Sequence, residues 1–137
     1  IKGGIENNMK KDPLIFIEHI LECIGNIESF SKDLTKEKLS EDELKKSALI
    51  RQIEIIGEAV KNLPKEMTNK YPDIPWKDIV GTRDKVIHQY FDVDLDILWE
   101  VIEKNIPDLK QNILKIKEDI EEENKKDRTK RRFAIKG

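Results

Sequence analysis

The sequence predicts an all-α fold, an up-down bundle of four to five helices, and two observations carry this prediction. Apolar residues recur at three- and four-residue intervals through long stretches of the chain, and no stretch alternates as a half-buried strand would. Of the 137 residues, 39% are charged and 37% are hydrophobic, which is typical of a small, highly charged helical protein. A chain of this length buries one core, so we expect a single domain over residues 9–123.

The first helix is predicted to begin at Pro13 with Asp12 as its N-cap, because proline at the first helical position lacks only an N–H that would be unpaired anyway. Its apolar stripe continues to about residue 33. The stripe consists of Ile17, Ile20, Ile24, Ile27 and Leu34, widened by Leu14 and Leu21. Residues 1–8 are expected to be an added or disordered segment, with Met9 as the natural start.

The second helix is predicted to follow a capping box, Ser40-x-x-Glu43, and to end at Pro64. Its apolar seam consists of Leu49, Ile53, Ile56, Val60 and Leu63. Because the polar loop before it is short, the first two helices should form an antiparallel hairpin. Residues 64–75, PKEMTNKYPDIP, contain three prolines and no helical period, which predicts a loop.

A third helical segment is predicted over residues 76–91, with Gly81 marking a break or a tight contact. The last helix should start with Asp92 or Asp94 as its cap and kink near Pro107. Its stripe consists of Leu98, Ile102, Leu109, Ile113, Ile116 and Ile120. Two apolar seams this long can exceed the surface that one small bundle buries, so we predict a homodimer that buries the surplus. Such a seam also occurs as the core of a monomer.

The net charge of −2 is unevenly distributed along the chain. Residues 124–137 carry seven Lys or Arg against one Asp, about +6, so residues 1–123 sum to about −8. A basic tail on an acidic body either holds an anionic partner such as nucleic acid or is a disordered, solubilising tail.

Cysteine and histidine are scarce, which excludes two kinds of site. The single cysteine, Cys23, excludes an internal disulfide and fits a reducing compartment, and with two histidines it also excludes a Cys/His zinc site. No apolar run approaches the roughly 20 residues that span a bilayer. We therefore expect a cytoplasmic protein without a membrane segment.

The candidate functional residues lie in residues 81–91, GTRDKVIHQYF. The chain has 21 Lys but five Arg, and only Arg51 and Arg83 lie outside the tail. Arginine presents a rigid planar fork suited to bidentate phosphate contacts, which lysine cannot replace. Arg83 is therefore predicted to grip a phosphate; the alternative is a structural ion pair with Glu54 or Glu58.

His88 is the candidate acid–base residue, whereas His19, beside the first stripe, is assigned no function. On a continuous helix His88 would share a face with Asp84, which could fix the tautomer of the ring and favour its protonated form. The alternative is an ordinary surface pair. At 100° per residue, Arg83 and Tyr90 fall within roughly 20° of each other, and His88 lies about 140° from Arg83.

Three arrangements would bring these side chains together. The segment is distorted, the long arginine reaches round, or the site forms where two copies meet. The last is favoured, because a two-fold axis would supply two imidazoles, one as base and one as acid. Glu54 and Glu58 form a further i,i+4 pair that could hold Mg²⁺ through waters, but such pairs are more often a solvated face or partners for arginine, and no metal or other cofactor is predicted.

Two longer stretches, RQIEIIGEAVKNLP and YPDIPWKDIVGTRDKVIHQYFDVDLDILWEVI, place this motif in a wider context. Their IGEA helix, the P-x-x-x-W lead-in and the Arg-x4-His-x-Tyr core resemble the HepT-like branch of the HEPN superfamily, and the resemblance covers roughly residues 9–122. It implies an all-α, HEPN-like bundle that dimerises with the Arg–His motifs lining a cleft between protomers.

The resemblance also implies a function. Many members are metal-independent endoribonucleases, and HepT-like members are toxins encoded beside a minimal nucleotidyltransferase antitoxin that transfers AMP onto the motif tyrosine. By position, Arg83 and His88 would be catalytic and Tyr90 the modified or substrate-binding residue. Asp84 would be a supporting residue at a position where Asn is common, which leaves open whether full activity is kept. The alternative is a non-catalytic subunit that binds nucleotides or docks its partner enzyme, which the acidic body favours.

Overall fold

The computed structural model describes residues 12–88 and 92–136, with side chains as far as residue 132. The helices are α1 Pro13–Ser31, α2 Lys36–Glu41, α3 Glu43–Lys61, α4 Lys65–Asn69, α5 Trp76–Val86, α6 Leu95–Glu100 and α7 Ile106–Lys136. A π-helical turn, Val101–Asn105, joins α6 to α7. Within the described ranges there is no strand, only an isolated bridge between Ile87 and Val93, so the all-helical prediction is confirmed there. The up-down order and the homodimer stay predictions, and residues 1–8 and Met9 lie outside the described residues.

Short polar side chains fix where the first helices begin. The Asp12 carboxylate accepts from the Leu14 N–H (3.1 Å) with Pro13 at the first helical position, as predicted. The predicted capping box is wrong, because Asp42 lies one residue before Glu43 and accepts from the Lys45 N–H (2.9 Å) instead. Ser40 belongs to the separate short helix α2, which Thr35 caps.

Two further predicted boundaries differ from the structure for local reasons. Helix α1 ends at Ser31, before residue 33, because the backbone leaves the helix at Lys32 and Asp33 has a positive φ of 59°. The loop prediction for residues 64–75 is wrong over α4, where one helical turn follows Pro64 and buries Met67. A single turn is too short to show an apolar period, so the sequence gives no sign of it.

The core lies between α1, α3 and the last helix, with α5 packed on α3. Nearly every residue of the three predicted stripes is buried, and Leu14, Leu21, Leu34 and Ile120 are partly buried at the margins. Cys23 lies in this core, and burial raises the pKa of its thiol. Among the described helices, none is both long enough and apolar enough to cross a membrane.

Helices α3 and α5 approach closely at Gly57. A Cβ on Gly57 would lie 3.4 Å from the Val80 carbonyl oxygen, so the two backbones leave room here for a methyl group and no larger side chain. Gly81, predicted to mark a break or a tight contact, does neither: it lies inside α5, and an added Cβ would meet nothing within 4 Å. The close contact between the helices involves Gly57 on α3 and Val80 on α5 instead of Gly81.

The last helix contains an irregular turn just before Pro107. The Ile106 N–H donates to the Val101 carbonyl, five residues back, which widens the turn. Proline has no N–H and its ring crowds the carbonyl four residues earlier, so a widened turn at this point relieves that crowding. The irregularity predicted near Pro107 is thus a π-helical turn at Val101–Asn105.

The basic tail is helical. Helix α7 continues to Lys136, so the expectation of a disordered tail is wrong for residues 124–136. Before the tail leaves the bundle, the Tyr71 hydroxyl donates to Asp119 (2.8 Å). Burial, together with this hydrogen bond and the nearby carboxylates, raises the pKa of Tyr71 to about 12. The contact ties α7 to the segment between α4 and α5.

We expect Gly57→Val to destabilise the fold by about 1–3 kcal/mol, because atoms beyond Cβ would push against the Val80 backbone. Gly57→Ala places its Cβ at ordinary contact distance and gains helix propensity, so its stability should be equal or slightly higher. Urea denaturation followed by circular dichroism measures both. Equal stability of the valine and alanine variants would contradict the close approach.

Candidate functional site

Arg83 lies in the last turn of α5, and the helix ends three residues later. Ile87 is extended (φ −108°, ψ 121°), although its N–H still donates to the Arg83 carbonyl (3.0 Å). The predicted helix over residues 76–91 is therefore wrong at Ile87 and His88, and its last three residues, 89–91, lie outside the described residues. Of the three arrangements considered for the motif, distortion of the segment is present: His88 follows the helix and does not share a helical face with Asp84.

Two backbone hydrogen bonds hold the segment after α5 in place. The His88 N–H donates to the Asp92 carbonyl (2.8 Å), and the Asp94 N–H donates to the Val86 carbonyl (2.7 Å). They flank the antiparallel bridge between Ile87 and Val93. The chain turns back on itself here, so the start of α6 lies beside the end of α5. Tyr90 belongs to residues 89–91, which lie outside the described residues.

His88 is paired with Asp94 instead of Asp84. Its Nε2 lies 3.3 Å from Asp94 Oδ2, and the imidazole is 53% exposed, so the ring is held on one side and reachable on the other. The other Asp94 oxygen, Oδ1, accepts from the Ile97 N–H (3.1 Å) and caps α6. Asp94 was predicted as a cap; its contact with His88 was missed, because that contact depends on the turn between them.

The pKa of the Asp94 carboxyl is lowered by the groups that contact it. The hydrogen bond from the Ile97 N–H and the contact with His88 both favour the carboxylate, and together they hold the pKa of Asp94 below its usual range. A carboxylate on Nε2 fixes the ring so that Nε2 carries the hydrogen, which leaves Nδ1 as the nitrogen able to accept a proton.

Arg83 contacts two carboxylates. Its Nε lies 3.4 Å from Glu54 on α3, and its Nη1 lies 3.3 Å from Asp84. Nε is buried, and the described residues offer it no aligned hydrogen bond, so the Glu54 contact is an ion pair only. The alternative prediction of an ion pair with Glu54 is confirmed as a contact. The guanidinium side chain is 38% exposed, which leaves it accessible to an anion.

Glu54 reaches Arg83 because of the close helix contact described above. Glu54 precedes Gly57 by three residues and Arg83 follows Val80 by three, so both side chains lie one turn from the point where α3 and α5 touch. The contact of the two backbones thus fixes one side of the guanidinium.

The remaining candidates fall outside this site. Glu58 pairs with Lys61 (3.4 Å) on its own helix, away from Arg83. No group of three or more His, Cys, Asp or Glu side chains in residues 12–88 and 92–132 is arranged to hold a metal ion. His19 is exposed on α1.

A groove of about 680 Å³ runs between α5 and the π-helical turn. Ile79 and Thr82 line it from α5, and Val101, Asn105 and Leu109 line it from the last helix. Arg83 and His88 are not among its lining residues, so the groove is separate from the candidate site.

An all-helical chain with a partly exposed arginine and, five residues later, a histidine held by a carboxylate has the groups that suit anion binding and proton transfer. Residues 20–116 match the family described as "Ribonuclease HepT-like", and the chain belongs to this ribonuclease HepT-like family.

Several relatives are similar over most of this chain. "Gamma-glutamylcyclotransferase and putative RNase" of Methanocaldococcus jannaschii is 50% identical over 113 residues, 82% of this chain but 51% of that relative, so the chain spans about half its length. "Putative RNase" of the same organism is 42% identical over 83% of this chain and 94% of its own. "Probable ribonuclease HepT" of Thermococcus cleftensis is 39% identical over 80% of this chain and 99% of its own. No solved structure matches the chain.

The Asp94 contacts predict a pH-dependent stability. Because the folded-state pKa of Asp94 is lowered, its contribution is present above the ordinary carboxyl pKa of about 3.9 and is lost as pH falls through the folded-state value. Asp94→Asn keeps a capping oxygen but removes the charge. Urea unfolding should therefore show wild type more stable than the variant at neutral pH, and a smaller difference near pH 3. A difference that stays constant with pH would contradict this assignment.

Proposed function

We propose that the chain is a metal-independent endoribonuclease, the toxin of a toxin–antitoxin pair, in which Arg83 and His88 are catalytic. The observations that carry the proposal are the orientation of His88 by Asp94 and the partial exposure of Arg83, five residues earlier in the sequence, in a chain of the ribonuclease HepT-like family. The relatives named as ribonucleases support RNA as the substrate class.

The proposed reaction is an internal transfer within the RNA. A base takes the proton from a ribose 2′-OH, whose oxygen attacks the adjacent phosphorus while the bond to the 5′-oxygen breaks. An acid then protonates that leaving oxygen, which gives a 2′,3′-cyclic phosphate and a 5′-hydroxyl end. Nδ1 of His88 suits the proton transfers, and Arg83 suits stabilisation of the charge that develops on the phosphate. Neither role requires a metal.

Asp94 serves in this proposal as a positioning residue. It touches no substrate and acts by holding Nε2 of His88, which keeps Nδ1 free. Asp84 is a supporting residue through its contact with Arg83 (3.3 Å). Glu54 on α3 forms an ion pair with the same guanidinium, so the arginine is already oriented before substrate binds.

We further propose that the active form is a homodimer. A single chain carries one Arg83 and one His88, whereas two copies related by a two-fold axis would supply two imidazoles, one as base and one as acid. The exposure of both side chains supports a site that opens toward a second copy.

The off switch in this proposal is AMP on Tyr90, transferred by a minimal nucleotidyltransferase antitoxin. Tyr90 follows His88 by two residues in the sequence, and His88 on one side and Asp92 on the other are joined by the bond from the His88 N–H to the Asp92 carbonyl. AMP on its hydroxyl would add bulk and negative charge beside the position of the scissile phosphate. Occlusion and repulsion together would keep RNA out.

For the catalytic assignment, we expect the purified protein to degrade single-stranded RNA in the presence of EDTA. His88→Ala should lower the rate by about 10²–10⁴-fold, and Arg83→Gln by about 10²–10³-fold. His19→Ala, which removes the other, exposed histidine, is the matched control and should cleave at the wild-type rate. Products should carry a 2′,3′-cyclic phosphate, read by mass spectrometry.

Cleavage by His88→Ala at the wild-type rate would disprove the catalytic role of this histidine. Sedimentation equilibrium on the same preparations measures the number of copies. A monomer with full activity would remove the need for a second imidazole while leaving the roles of Arg83 and His88 in place.

For the modification, we expect co-expression with the nucleotidyltransferase encoded beside this chain to add AMP-sized mass to the intact protein and to abolish cleavage. Tyr90→Phe should gain no mass. Tyr71→Phe is the matched control, because the Tyr71 hydroxyl is already bound to Asp119, and it should be modified like wild type. An addition that persists in Tyr90→Phe would place the modification elsewhere.

The acidic body favours one alternative function, a non-catalytic subunit that binds nucleotides or docks the nucleotidyltransferase. Residues 1–123 sum to about −8, whereas binding of RNA by the body of a protein ordinarily uses a basic surface. This alternative gives no RNA cleavage under the conditions above but tight association with the nucleotidyltransferase.

A further inference from the structure

The last part of α7 projects from the bundle as an exposed basic helix. We call residues 121–132 the C-terminal arm. Every side chain in the arm is exposed. Six of them are cationic, namely Lys125, Lys126, Arg128, Lys130, Arg131 and Arg132, and four are acidic, namely Glu121, Glu122, Glu123 and Asp127, so the arm carries a net charge of about +2 with its cations toward the C-terminal end. Within the described residues none of these six forms an ion pair, and the arm lies beyond the family match, which ends at residue 116.

The composition of the arm is unlike that of the body. Three of the five arginines in the chain lie here, although lysine outnumbers arginine about fourfold overall. Arginine is the residue suited to bidentate phosphate contacts and to stacking on bases. Solubility alone would be served equally well by lysine, the cation that predominates in the rest of the chain. Beyond Glu123 the positive charge predominates, about +6 over residues 124–137, and it is opposite in sign to the charge of the rest of the chain.

The helical form of the arm orders its cations. Lys125, Arg128 and Arg132 are spaced by three and four residues, so they follow one face over about 10 Å. Glu121 and Glu122 precede Lys125 and Lys126 by four residues, the spacing and order that stabilise an exposed helix. Because α7 is already nucleated in the core, these turns form without tertiary contacts of their own.

The arm leaves the bundle at the end away from the candidate site. Asp119 and Asn124 share a cavity of about 560 Å³ with Pro13, at the start of α1. The site lies at the other end, where Asp96 beside Asp94 pairs with Lys36, just after α1. Helix α1 has 19 residues, so the two regions are separated by about 20–30 Å.

We infer that the C-terminal arm binds the phosphate backbone of single-stranded RNA and supplies the affinity that the acidic body lacks. The inference rests on the proposed ribonuclease function and deepens it. An RNA that reaches both the arm and the Arg83–His88 site of one chain must span their separation. Long RNA is therefore bound through both regions, and a short RNA occupies the site alone.

The test measures binding by fluorescence anisotropy, with every protein in a His88→Ala background so that the probe is not cut. The probes are a short and a long labelled single-stranded RNA. Arg128→Gln, Arg131→Gln and Arg132→Gln together should weaken binding of the long RNA by about 10–100-fold and make the salt slope less negative by about 2. Binding of the short RNA should change little.

The matched control removes the same charge from the body. Lys38→Gln, Lys65→Gln and Lys104→Gln together change exposed lysines outside the arm and outside the recorded ion pairs. This control should bind the long RNA within about twofold of the parent, because net charge alone is a weak long-range effect at physiological salt. Equal losses in both triple variants would overturn a specific role for the arm.

Two further outcomes separate the arm from the reaction. If the protein cuts no RNA but the arm variant loses long-RNA binding, the catalytic proposal fails and the arm inference stands. If long-RNA binding is unchanged in the arm variant, the inference is overturned. A changed oligomeric state in sedimentation, without a change in RNA binding, would show instead that the arm binds an acidic protein surface.

Discussion

The candidate site depends on the backbone reversal between α5 and α6. Had α5 continued, His88 would have stayed on the helix, roughly 140° from Arg83, with Asp84 as its neighbour. The bonds from His88 N–H to Asp92 and from Asp94 N–H to Val86 turn the chain instead and bring a different carboxylate to the imidazole. One side-chain oxygen of Asp94 then starts a helix while the other holds the ring. The same side chain, Asp94, therefore both orients His88 and caps α6.

A second constraint, the close contact of α3 and α5, determines the orientation of Arg83. Gly57 lets α3 and α5 touch, and one turn further along each helix Glu54 meets Arg83. The buried Nε carries a charge contact without an aligned hydrogen bond in the described structure, which costs stability that the core must offset. Such a cost is typical of a side chain kept for its chemistry, and it distinguishes Arg83 from the surface ion pairs elsewhere on the helices.

The sequence predicts the helical core well, because a helix that packs on a core must repeat its apolar residues at its own period. The stripes of α1, α3 and the last helix are buried almost residue for residue. Helix boundaries are harder to predict. Neighbouring polar residues can each cap a helix, and here Asp42 is the cap where Ser40 was predicted. No glycine or proline in the sequence marks the end of α5 at Val86. Arg83 and His88 stand out by residue type alone, whereas Asp94 as the partner of His88 could not be found, since its place depends on a tertiary turn.

The charged tail gives the molecule a permanent electrical asymmetry. Residues 124–137 carry about +6 and residues 1–123 about −8, and α7 carries the basic residues as far as Arg132 away from the core, so positive and negative charge are separated along the last helix. In the field of any polyanion such a molecule rotates before it touches, and its basic end arrives first. If the arm binds RNA as inferred, capture would precede the proposed reaction at the other end of the chain, and added salt would weaken capture through the exposed cations.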